Sequence, residues 1–197
     1  MPRLPTTSLP LALLVLGVPF LSLGAQGGTR PGAPNEALAR AVREVEQLDA
    51  LRSSLARTFA SGGVAATDST FAQVCKPVKA QAMKVASENG WVVAQLAERN
   101  RHPDNALDGG ARRAFMQMRR NPDVMGEWVR ASLKGRQGTR YFRRITVEPA
   151  CLACHGKRDA RPDFVKKNYP NDKAFGFAAG DLRGIYSIFI PDATPAR

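Results

Sequence analysis

Cys151-Leu152-Ala153-Cys154-His155-Gly156 places two thiols three positions apart, with an imidazole directly after the second. That spacing has one strong chemical use. Two thiols on one turn can each form a thioether with one vinyl group of a porphyrin, and the adjacent imidazole then falls on the iron. Cys-x-x-Cys-His is accordingly the attachment sequence of c-type haem, with His155 as proximal ligand. Three cysteines and two histidines stand in 197 residues, so a chance match is expected on the order of 10⁻³ times or fewer. Other uses of these residues explain less. A redox dithiol lacks a surrounding βαβ pattern. A Cys₃His zinc site with Cys75 has no second Cys-x-x-Cys to support it. A short structural disulfide leaves His155 without a role.

The N-terminus agrees with this chemistry. Arg3, the apolar run Leu9–Leu23 and the small-residue end Leu23-Gly24-Ala25 before Gln26 read as a secretory signal peptide, residues 1–25, cleaved after Ala25. The run holds about 15 residues and falls short of the roughly 20 that span a bilayer, so no stable transmembrane anchor is expected after cleavage. Haem c is attached outside the cytoplasm, and a periplasmic or otherwise exported protein with one covalent haem is expected. Residues 26–35 are Gly/Pro-rich and read as a flexible leader, and 36–197 as a single domain.

Composition bounds the rest. Apolar residues make up 44% and charged residues 23% of the chain, enough for a packed core, and the formal net charge is +12. The charge is concentrated: residues 99–144 hold twelve Lys and Arg against four Asp and Glu. Export and few aromatics argue against nucleic acid as the partner. An acidic partner, a membrane surface or a solvated face remain open, with some arginines pairing an anionic cofactor. Neither a G-x-x-x-x-G-K-[ST] nor a G-x-G-x-x-G pattern occurs, which removes the common nucleotide cradles.

Hydrophobic spacing of three and four over Glu36–Phe59 predicts an amphipathic helix ended by Ser61-Gly62-Gly63. Asp68 or Ser69 can cap a second helix with Val74, Cys75, Val78, Ala82 and Val85 along one side, and Pro77 is expected to kink it. Trp91-Val92-Val93 begins a strand. Asn100–Gly110 is loop-like, and Ala111–Arg120 is a short helix. Glu127–Ser132 and Thr139–Val147 are strands joined across Lys134–Gly138, Arg158–Lys173 is polar, and Phe175–Ile190 supplies a last pair of strands. Helices followed by antiparallel strands indicate an α+β domain.

The flanks of the motif carry a further pattern: Tyr169-Pro170-x-Asp172-x-Ala174-x-Gly176, then Gly180-Asp181-x-Arg183-Gly184 and a final apolar strand, with Phe71-x-x-x-Cys75 and Arg99-Asn100 upstream. Together these resemble a family of exported c-haem-binding domains with a PAS-like fold. It was long catalogued as a domain of unknown function and also occurs as the sensory part of histidine kinases. The resemblance implies N-terminal helices packed on a PAS-like antiparallel sheet of about five strands. It also implies that Cys75 is the iron ligand opposite His155. The chain departs from the pattern at Arg101 and His102, which look inserted, at Leu107–Gly110, and at Arg144, where a proline is common.

Other ligands compete with Cys75 on sequence grounds: His102, Met83, Met116, Met118 and Met125. Arg99, Arg143 and Arg183 are the candidates to contact haem propionates, since a guanidinium can bond a carboxylate with two parallel donors. Tyr169, the aromatic of the family pattern, is counted with the haem-binding residues. The functional expectation is a redox or small-ligand sensor working through a signalling or redox protein partner. A mono-haem electron carrier is the alternative. An enzyme such as a peroxidase would need acid–base groups beside the haem, and His102 is the one spare histidine, so no enzymatic activity is expected.

Overall fold

Residues 34–63 and 66–193 are described by the structure, a computed structural model. The expected signal peptide, and the leader up to residue 33, lie outside the described residues. The first helix, α1 (Pro34–Ser61), buries Ala41, Val45 and Leu48. The three are spaced four and three apart, as a helix facing a core requires. The second, α2 (Asp68–Asn89), is capped one residue before the positions expected to cap it. Thr67 is the N-cap: its hydroxyl accepts from the Thr70 N–H at 3.3 Å, and the Thr70 hydroxyl accepts from the Thr67 N–H at 3.2 Å. This reciprocal box satisfies two of the donors that every helix start leaves open. Pro77 sits inside α2 without ending it, on the exposed side of the helix. Gly90 closes the helix at φ 66°, a left-handed cap that glycine adopts without strain.

Four strands follow: β1 (Val92–Leu96), β2 (Gly126–Leu133), β3 (Arg136–Thr146) and β4 (Leu182–Pro191). A third helix, α3 (Gly109–Arg120), lies between β1 and β2. The sheet is antiparallel throughout, in the order β1-β4-β3-β2. The β2–β3 connection is tighter than the five-residue loop expected. Lys134 and Gly135 both have positive φ, 50° and 77°, which makes a two-residue turn whose twist matches the strands and lengthens both of them.

Side chains alternate across the sheet. Tyr141, Ile145, Tyr186 and Ile188 pack with α1 and α2, while Phe142 and Ile185 pack with Ala111, Ala114, Phe115 and Met118 of α3. Each fully buried Leu, Ile or Phe adds about 1.5–3 kcal/mol, so both faces contribute substantially. No helix among the described residues is long and apolar enough to cross a membrane.

Two expectations are corrected. The sheet has four strands, not about five, because 175–180 does not pair as a strand. Two of its backbone donors go to the Cys-x-x-Cys-His turn, Gly176 N–H to the Gly156 carbonyl at 2.6 Å and Phe177 N–H to the His155 carbonyl at 3.1 Å, while Ala178 donates to Asp181 and Gly180 to the Val147 carbonyl. The polar stretch 158–173 also holds a short helix, Asp163–Asn168, which turns only Val165 fully inward.

Candidate functional site

After β3, a 3-10 turn at Pro149–Cys151 runs directly into a single α-turn, Leu152–His155. Pro149 fits the first position of a helical turn, where its missing N–H is not needed. Gly156 then donates to the Leu152 carbonyl, and a Cβ on Gly156 would stand 2.6 Å from that oxygen. The sixth residue of the stretch is therefore held to glycine. Cys151, Cys154 and His155 project from this one turn, with both thiols free.

His155 is oriented by its surroundings. Its Nδ1 lies 2.7 Å from the Ala174 carbonyl, and since a carbonyl can only accept, Nδ1 carries the proton. Nε2 is left as the nitrogen with a lone pair. Burial, then the charges of Arg183, Arg101 and Arg52, push the imidazole pKa well below its ordinary value, so the ring is neutral. Phe177 meets it edge-on at 6.2 Å. Phe177 is itself covered by the guanidinium of Arg99, 3.5 Å from its ring centre, and by that of Arg183 at 5.3 Å. Arg99 also donates to the carbonyls of Phe175 and Gly176, both at 3.0 Å, which pins the segment behind the histidine.

Positive charge converges on the turn. Arg52, from α1, brings a guanidinium nitrogen to 3.5 Å from the Cys151 sulfur. Arg101 donates to the Cys154 carbonyl at 3.0 Å and pairs with Asp172, a carboxylate wholly out of solvent that Arg161 also holds at 2.9 Å. Arg183 donates to the Arg99 carbonyl and has no carboxylate in ion-pair reach among the described residues. Burial lowers its pKa to about 10, with Arg101 pushing the same way. A ligand carrying two carboxylates suits this balance.

Cys75 does not lie on the buried stripe of α2 expected for it; Val78 and Val85 form that stripe, and Cys75 is open to solvent. Protein nevertheless surrounds it on most sides. That crowding pushes its thiol up to about 11, Arg101 pulls it down, and Cys154 and Cys151 act on it in turn. Cys75 therefore shares the electrostatic surroundings of the motif. Its rivals lie elsewhere: Met118 is in the core under α3, Met116 on the outer side of α3, and Met83 and Met125 are exposed. His102 caps the turn Pro103–Asn105, its Nδ1 accepting from the Asp104 N–H at 3.3 Å.

Among the described residues no three His, Cys, Asp or Glu side chains converge on one point.

Of the nominated arginines, Arg99 and Arg183 are brought to the motif and Arg143 is not. Arg143 faces α1 and is held by Glu46 through two bonds, at 2.9 and 2.8 Å, and by Asp49 at 2.9 Å. Odd-numbered side chains of β3 face α1, as Tyr141 and Ile145 also do. Tyr169 stands near the site, 5.8 Å from the Arg101 guanidinium. Arg52 and Arg101 were not nominated. Arg52 lies 99 residues from Cys151, and only its place on the α1 face that meets the motif marks it out.

The Tll0287-like family model matches residues 30–191. No curated protein sequence matches the chain. Among solved structures, the crystal structure of the cyanobacterial heme-protein Tll0287 is similar, with a TM-score of 0.73 and 41% identity over 83% of this chain and all of that one. The matched range spans every described element from the first helix to the last strand, and it identifies this chain as a member of the Tll0287-like family.

Proposed function

We propose that this chain is a mono-haem c-type protein that works outside the cytoplasm as a redox or small-ligand sensor, through a protein partner. The observation that carries the haem is the motif turn itself: two free thiols beside an imidazole whose Nδ1–H is committed to Ala174, leaving Nε2 to coordinate. The family relationship to a heme-protein supports it. Cys151 and Cys154 would each add S–H across one vinyl group. His155 would hold the iron, and Cys75 would supply the second axial ligand. Arg52, Arg99, Arg101 and Arg183 would receive the propionates. Haem supplies a one-electron centre whose potential its axial ligands set. A thiolate ligand from Cys75 would stabilise the ferric state and give a bond that protonation weakens, which favours sensing.

The protein should be matured with a haem-attachment system and compared with Cys75→Ser by ferric electron paramagnetic resonance, then challenged with carbon monoxide in the ferrous state. A changed low-spin signal in the mutant and a shifted spectrum on gas addition are expected. Failure to acquire covalent haem overturns the whole reading. A spectrum indifferent to carbon monoxide, with rapid exchange with a redox partner, makes the protein an electron carrier.

A further inference from the structure

We propose that the outer side of α3 is a docking surface for an acidic protein partner. The helix buries Ala111, Ala114, Phe115 and Met118 against the sheet and turns Arg112, Arg113, Gln117 and Arg120 outward. Thirteen of the eighteen arginines of the described residues have a hydrogen-bond, ion-pair or ring partner. The exceptions are Arg43, Arg112, Arg113, Arg120 and Arg136, and three of these five share this one stripe. They border a shallow depression of about 480 Å³ that is floored by Gly109, Met116 and Gln117.

From Arg112 to Arg120 is eight residues, about 12 Å along the helix. That length accepts two or three carboxylates from an acidic strand or helix, each bonded by a planar fork. Arginine is enriched at protein interfaces for this reason.

Other anionic surfaces fit less well. Among the described residues the exposed large apolar ones are Met83, Met125 and Trp128, none of them on α3, so the face lacks the apolar anchors that seat a helix in a lipid surface. It also lacks an aromatic platform for stacking bases.

The face is separate from the haem motif. α3 covers one side of the sheet, whereas Cys151 contacts α1, which covers the other. A partner can therefore sit on α3 without touching Cys151–His155, and the proposal stands whether or not haem is bound.

The test titrates the full-length protein with fluorescent poly-L-glutamate at low salt, and separately with vesicles rich in phosphatidylglycerol. Arg112→Gln with Arg113→Gln and Arg120→Gln should weaken polyglutamate binding about tenfold or more, and Arg43→Gln with Arg136→Gln less than about twofold. Circular dichroism should show both variants folded. Equal loss in both variants would mean that net charge alone binds, and no loss in the triple variant would clear α3 of any role. Arginine-dependent binding to the vesicles in preference to polyglutamate would reassign the surface to lipid. Each of these outcomes overturns the proposal.

Discussion

Beneath α3, Arg140 and Arg144 are 6% and 5% exposed, and both are answered within the fold; around Cys151–His155, arginines outnumber the carboxylates beside them. Arg140 is gripped by both oxygens of Asp108, at 2.9 and 2.7 Å, and donates to the Ser187 hydroxyl at 2.8 Å. Arg144 donates to the carbonyls of Met118, Asn121 and Val124, at and beyond the C-terminal end of α3, where the helix dipole favours a cation. The proline expected at that position could supply none of these donors. On the motif side, Asp172 is shared by Arg101 and Arg161, Arg52 pairs with Asp49, and Arg183 has a carbonyl and the Phe177 ring but no carboxylate among the described residues. Burying a charge without a counter-charge is expensive. One region thus pairs its buried arginines within the fold, and the other leaves Arg183 without a counter-charge among the described residues.

The largest expected effect lies on the motif side. Cys151→Ala with Cys154→Ala should abolish covalent haem, measured as loss of colour that survives denaturation. Because binding energy becomes folding energy, the melting temperature should also fall by about 10 °C or more. A haem-free variant that melts like the parent would show that this side completes itself too.

Asp108→Ala comes next and acts on the other face. It strands Arg140 and removes the side chain that accepts the Ala111 N–H at the start of α3. Stranding a deeply buried partner costs about 3–5 kcal/mol, but Asp108 is half-exposed, and water reduces the loss to about 2–3 kcal/mol. Burial alone would raise the Asp108 carboxyl; its bonds to Arg140 and to the Ala111 N–H outweigh that and hold it below the usual carboxylate range. Its stabilisation is therefore complete above the unfolded value near pH 4 and is lost as pH falls through the lower folded value. Urea unfolding between pH 6 and pH 3 should steepen in the parent and flatten in Asp108→Asn. Haem content should not change in either variant.

The smallest effect separates two arginines. Arg183→Gln should lower the midpoint potential, since a positive charge that favours the reduced state is removed, by the equivalent of about 1–2 kcal/mol. Arg143→Gln should leave the potential nearly unchanged and instead loosen α1 from β3 through loss of the Glu46 and Asp49 pairs. Equal shifts in the two variants would erase the distinction between the regions.

What could be read in advance follows the range of the interactions involved. α1, α2 and α3 were legible because helix periodicity is local, and Cys151–His155 because its chemistry is contained in five residues. Arg101 and Arg52 were not, since what places them beside Cys154 and Cys151 is the packing of distant segments. The missing fifth strand has the same cause: 175–180 is composed like a strand, but the open backbone groups nearest to it belong to the motif turn. Arg143 faces α1, the side on which Cys151 also lies, yet Glu46 and Asp49 engage it there, a pairing of distant segments that charge type alone does not reveal.

The position of β4 carries a consequence for how the chain assembles. It follows the other described elements in sequence yet lies inside the sheet, pairing with β1 through Val92↔Phe189 and with β3 through Tyr141↔Ile188. β1 can therefore find its only neighbour across nearly a hundred residues, and growth of the sheet strand by strand is closed to this topology. Such long-range closure slows folding relative to a helical bundle, because the loop-closure entropy must be met before the non-local contacts form.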